Sequence, residues 1–186
     1  QDRILNQGVL EAVLHGRVPR VMGWAAAPAL RDTVDFLGIN YYSRELVAFD
    51  IRSPATWFGR RLHDPQAETS DRHFSEVYPE GLFRVLQRVA TAGKPIFITE
   101  NGVPDADDDL RPSFLRRHLA QLHRAIAAGV DVRGYYHWTL TDNFEWAEGW
   151  NLRFGLIALD VATQRRTLRP SGELYGEICR TNQLAG

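Results

Sequence analysis

The 186-residue sequence has one cysteine, Cys179, so it can form no internal disulfide framework, and it suits a reducing, cytoplasmic setting. It has no apolar run near the roughly 20 residues needed to cross a bilayer. Charge of one sign is also missing. The 22 basic residues almost balance the 23 acidic ones, and a formal net charge of -1 gives no reason to expect a nucleic acid or a membrane as partner. No G-x-G-x-x-G turn and no P-loop opens any helix, which argues against nucleotide binding. The six histidines show no metal-ligand spacing, and His118 and His123 lie too far apart in phase to share a helix face. Residues 105–109 are acidic but lack the Gly and terminal Glu of a calcium loop, so they read as a solvated loop with no metal or other cofactor. An initiator Met is absent as well, and the chain is expected to begin upstream of Gln1.

What is present is an alternation of helical and strand-like segments. Leu5, Val9, Ala12 and Val13 recur at helical spacing before Gly16 and predict a helix over 2–15. VDFLGINYY (34–42) reads as a buried strand. Residues 43–79 have no clear period and read as a long loop with short pieces of structure. Leu82, Val85, Leu86 and Val89 predict a helix ended by Gly93, and PIFIT follows as the next strand. Pro112 opens a helix carrying Leu115, Leu119, Leu122 and Ile126 up to Gly129, and GYYHWTL (134–140) is a third strand. Residues 154–160 and 164–168 are set to pair as a hairpin, and Pro170 starts a last helix.

Strand and helix in alternation imply a parallel α/β sheet. The strands are apolar throughout, so both faces are expected to be covered. A doubly wound sheet and a sector of a (β/α)8 barrel fit this pattern equally well. The strand ends tip the balance. Asn40-Tyr41-Tyr42, Thr99-Glu100-Asn101 and Trp138-Thr139 all fall where parallel α/β folds place chemistry, and with no nucleotide motif a barrel mouth is favoured. HWTLTDNFEWAEGWNLRFG (137–155) packs three Trp and two Phe around Glu145. That mixture suits a sugar, whose hydroxyls bond to carboxylates and amides while indoles cover its C–H faces. A hydrophobic plug is the competing reading.

PIFITENGV (95–103), VDFLGINYY, HWTLTDNFEWAEGWNLRFG and VYPEGL (77–82) together resemble the β-glucosidase family of retaining glycoside hydrolases, glycoside hydrolase family 1. The resemblance implies a (β/α)8 TIM barrel, of which residues 1–186 would form a single partial domain covering about strands six to eight. It makes Glu100 the catalytic nucleophile and Tyr42 the phenol that orients it. It assigns Asn40, Trp138, Glu145, Trp146 and Phe154 to sugar binding. An acid at Glu145 would repel a 6-phosphate, which favours unphosphorylated β-glucosides, galactosides or fucosides. Two departures stand out. Arg72-His73-Phe74-Ser75-Glu76 replaces the Gly-Trp that often precedes VYPEGL, which leaves the leaving-group platform open. The N-E-P block bearing the acid/base is absent, and a barrel of this kind needs about 250 residues.

Three readings follow from the resemblance. In one, a complementary N-terminal polypeptide completes a β-glucosidase that this chain alone cannot be. In another, the chain is a non-catalytic fragment that binds a sugar or a partner. In the third, the complete enzyme is a thioglucosidase or a transglycosidase. The first is favoured, because the family motifs are intact.

Overall fold

The computed structural model describes residues 6–20 and 23–184. Helix α1 (Gln7–His15) covers most of the expected first helix, and its positions 2–5 lie outside the described residues. Strands β1 (Arg17–Arg20) and β2 (Gly23–Ala26) form an antiparallel pair. The central element is a three-stranded parallel sheet of β3 (Leu37–Asn40), β6 (Ile96–Asn101) and β7 (Val132–His137), ordered β3-β6-β7. Helix α2 (Pro79–Ala90) connects β3 to β6, and α3 (Arg111–Ala127) connects β6 to β7. The hairpin of β8 (Ile157–Leu159) and β9 (Arg166–Leu168) then leads into α4 (Pro170–Thr181). Its turn forms where Asp160 Oδ1 accepts the amides of Ala162 at 3.0 Å and Thr163 at 2.9 Å, which specifies the connection locally.

Helices α2, α3 and α4 each have proline in the first turn, where a missing N–H costs nothing. The start of α3 is also capped from a distance. Asp105 Oδ2 accepts the backbone amides of Leu110 at 3.0 Å and Arg111 at 2.7 Å. This corrects the reading of 105–109 as a solvated loop, because Asp105 and Asp108 are buried while Asp107 and Asp109 are exposed. Asp108 accepts hydrogen bonds from the buried Arg111 guanidinium and, at 2.6 Å, from the Ser171 hydroxyl at the start of α4. The acidic stretch thus joins two helices. Burying those charges is tolerated because Asp108 is paired with Arg111 and Asp105 accepts two backbone amides.

The core lies between the sheet and α2/α3. Leu82, Leu86, Ile96, Ile98 and Ala125 are fully buried there, with Leu37, Tyr41, Val89 and Val130 around them. Each large aliphatic side chain contributes about 1.5–3 kcal/mol by leaving water. The other sheet face differs from expectation. Phe36 meets Phe97 edge to face at 5.3 Å, yet Phe36 and Tyr136 are exposed. The helices cover one face only, so β3 is shorter and barer than the nine-residue apolar run suggests. The 43–79 stretch holds an antiparallel hairpin, β4 (Leu46–Phe49) with β5 (Gly59–Leu62), plus short 3-10 turns at Pro54–Thr56 and Asp71–His73. Among the described residues, no helix is long and apolar enough to cross a membrane.

Candidate active site

Parallel strands place their C-terminal ends side by side, and here that end gathers the polar groups. Asn40 sits opposite Glu100 in the β3–β6 register, just after a bulge at Ile39/Asn40. Its Oδ1 accepts the Thr99 hydroxyl at 2.6 Å. Two residues on, the Tyr42 hydroxyl donates to Glu100 Oε2 at 2.5 Å. Burial, then the hydrogen bond to Glu100 and the charges of Glu100 and Glu145, push the Tyr42 phenol well above its ordinary value. Tyr42 therefore stays protonated and acts as a fixed donor to the carboxylate.

The support beneath Glu100 is Asn101. Its fully buried side chain donates to the Tyr41 carbonyl at 2.7 Å and accepts the Tyr135 hydroxyl at 2.7 Å. The amide thus ties β6 to residues of both neighbouring strand ends, which leaves Glu100 little freedom to swing. Gly102 is needed next to it, because a Cβ there would lie 1.8 Å from the Trp138 carbonyl oxygen. That close approach sets where the third strand delivers Trp138, whose own amide donates to the Asn101 carbonyl at 2.9 Å.

The loop after β7 carries the remaining expected residues. Glu145 accepts a hydrogen bond from Asn143 Nδ2 at 3.1 Å and is close enough for its charge to act on Tyr42. Trp146 projects from the next position, 82% exposed. Phe154, expected in the sugar-facing wall, lies beside the Tyr42 ring. It is 2% exposed and packs edge to face between Tyr42, at 6.2 Å, and Phe74, at 6.0 Å. It backs the tyrosine. The loop itself is clamped by Asp142, which had no assigned role. Asp142 accepts Arg169 Nη1 at 3.0 Å and Nη2 at 3.2 Å, and the amides of Gly155 at 2.8 Å and Leu159 at 3.2 Å. Asp142 and Arg169 are 27 positions apart, so local spacing gives no sign that they meet.

Carboxylate oxygens of Asp105, Asp107 and Asp109 come within 4.8 Å of one another. One oxygen of Asp105 is already engaged with the start of α3.

A carboxylate on a braced strand tip, held by a protonated phenol with a second acid nearby, sits at the C-terminal end of a parallel α/β sheet, where such folds carry their sites. Residues 10–184 match the sequence profile of Glycosyl hydrolase family 1, and the chain belongs to that family. It is 38% identical over 191 residues to a β-galactosidase of Sulfolobus acidocaldarius, covering 98% of this chain and 38% of that protein. β-Glucosidase A of Thermotoga maritima is 36% identical over 166 residues, covering 83% and 36%. Among solved structures, a β-glycosidase from Pyrococcus horikoshii superposes on the whole chain with a TM-score of 0.89 at 35% identity, and the chain covers 43% of it. The chain therefore spans well under half of these relatives. It is a partial α/β segment of their TIM barrel, with no closed ring of its own, and the bare sheet face is the face a closed barrel turns inward.

Proposed function

We propose that this chain supplies the nucleophile half of a retaining β-glycosidase. The observation that carries the reading is the Tyr42–Glu100 hydrogen bond at 2.5 Å on a strand end braced by Asn101. Glu100 attacks the anomeric carbon and forms a glycosyl ester, while a carboxylic acid from a complementary polypeptide protonates the departing oxygen. Water then cleaves the ester, and the configuration is retained. That geometry requires the second carboxyl about 5–5.5 Å from Glu100. No N-E-P block lies in these residues, so we place the acid on the complementary part and expect this chain alone to turn over no glycoside.

We assign Asn40, Trp138, Glu145, Trp146 and Phe154 to the sugar; the hydrogen bonds of Asn40 and Glu145 at the strand ends and the packing of Phe154 on Tyr42 support this reading. The negative field of Glu145 near Tyr42 favours an unphosphorylated glucoside, galactoside or fucoside. The lone Cys179, which is exposed, suits a cytoplasmic enzyme.

The test is covalent trapping. The chain, co-expressed with N-terminal barrel strands, is treated with a dinitrophenyl 2-deoxy-2-fluoro-β-glucoside, which needs no acid to leave. Digestion and mass spectrometry should find the fluorosugar on the peptide containing Glu100, and Glu100→Gln should take up none. A label on another carboxylate would overturn the assignment.

A further inference from the structure

A pocket of about 460 Å³ adjoins the site, and every residue that lines it comes from the 43–76 segment between β3 and α2. That volume suits a small molecule. The pocket begins at Ser43, directly after Tyr42. Phe74 forms the wall it shares with the site, because its ring meets Phe154 at 6.0 Å and Phe154 meets Tyr42 at 6.2 Å. The frame is well bonded. Ser43 Oγ accepts the Glu76 amide at 3.0 Å and donates to the Glu76 carbonyl at 2.8 Å, and the Ser75 amide donates to Ser70 Oγ at 3.0 Å. The Ala106 amide donates to the Asp71 carboxylate at 2.8 Å, which ties this turn to the chain that leaves the Glu100 strand. Within the turn Arg72 and His73 both adopt the left-handed region, at φ 54° and 52°, which such side chains seldom occupy. Strain of that kind persists only where surrounding bonds over-determine it. The outcome is Phe74 held half-exposed at the pocket wall.

The lining indicates the occupant. Arg44 pairs with Glu76 at 2.7 Å and Asp64 at 2.8 Å, and Arg61 pairs with Glu45 at 3.1 Å. Both arginines and all three carboxylates of the lining are thus in ion pairs, which leaves no unpaired charge to hold an ion. Between them stand the apolar surfaces of Leu46, Leu62 and Phe74. A neutral sugar fits both features. Its hydroxyls donate to carboxylates and accept from guanidinium groups, while its C–H faces lie on the ring and the leucines. An alkyl or aryl group would strip water from the ion pairs and return no hydrogen bonds. Position indicates the role. Trp138, Glu145 and Trp146 lie on the β7 side of Glu100 and the pocket lies on the β3 side, so the part of the substrate left to place there is its leaving group.

We propose that this pocket is the leaving-group subsite and takes a neutral sugar, so that the substrate is a β-linked di- or oligosaccharide and not an alkyl or aryl glycoside. The inference rests on the glycosidase reading, and its test separates the two. Cellobiose and β-glucosyl fluoride present the same glucosyl unit to Glu100, but fluoride is too small to use a pocket. The chain completed with N-terminal barrel strands should show a kcat/KM for cellobiose at least about fivefold above that for octyl glucoside. Ala67→Trp fills the pocket from a part-buried wall position, and Phe74→Leu removes the ring but keeps apolar support behind Phe154. Each should lower the ratio of kcat/KM for cellobiose to that for β-glucosyl fluoride by about tenfold or more. A purely structural role would lower both substrates together. Fluoride turnover with an unchanged ratio in both variants would overturn the subsite alone, as would a wild-type preference for octyl glucoside. No turnover of the fluoride by wild type would overturn the glycosidase reading and this inference together.

Discussion

Glu100 alone is an acid at a strand end. Its direction comes from Tyr42, a donor that burial keeps protonated, and from Phe154, which holds the tyrosine ring edge-on. A hydrogen bond to a charged group contributes about 1.5–3 kcal/mol. Tyr42→Phe in the completed enzyme should therefore lower kcat/KM by about 10- to 100-fold while the fold persists. Steady-state kinetics on a nitrophenyl glucoside checks this, and a change under twofold would remove Tyr42 from the mechanism. At this scale the sequence was informative about identity. PIFITENGV and VDFLGINYY place a carboxylate and a phenol at neighbouring strand ends before any coordinate is seen. The inward position of Phe154 was not legible, because whether an aromatic faces a ligand or supports a neighbour depends on what packs behind it. Here that is Phe74, from the segment that replaces the usual Gly-Trp.

Among the elements, the loop after β7 is the least regular and the most braced. Asp142 and Arg169 are both buried and meet through two hydrogen bonds, and Asp142 also satisfies two backbone amides. Removing one partner of such a pair leaves the other charge buried and unpaired, at a cost of about 3–5 kcal/mol. Asp142→Ala should lose that much in urea unfolding, and Asp142→Leu/Arg169→Met should recover part of it. Equal losses in both variants would mean that the backbone amides, not the guanidinium, matter most. The three sheet strands and the helices that follow them match the sequence reading in kind, with ends displaced by a few residues, whereas the β1–β2 pair was not legible in it. The final hairpin formed as expected because its turn is specified by Asp160 and its neighbours. The 43–79 stretch hid a hairpin because β4 and β5 pair with each other and not with the main sheet, so no long apolar run marks them.

For the whole molecule, the buried His118 and the part-buried His137 couple stability to pH. Burial holds His118 at about 4 and His137 at about 3, against an ordinary value of 6.5. The unfolded chain takes up these protons first. Their contribution is thus complete above pH about 6.5 and is lost as pH falls toward about 4 and then about 3. Each can contribute a slope near 1.4 kcal/mol per pH unit inside its window. Unfolding free energy measured between pH 7 and 4 should fall with acid, and His118→Leu should flatten the slope. An unchanged slope would show that His118 is not the titrating group.

The sequence by itself determined the family, the order of the three sheet strands and their helices, and the presence of Glu100 at a strand end, because motif spacing and hydrophobic period are local properties of the chain. Only the tertiary structure decided that Asn101 braces Glu100, that Asp142 and Arg169 clamp the loop, and that half of the acidic stretch is interior. It also decided that one sheet face lies bare and that Phe49 and Trp57 stand outward together. Each of these depends on which distant residues come into contact and which find no cover, and a linear pattern does not encode that.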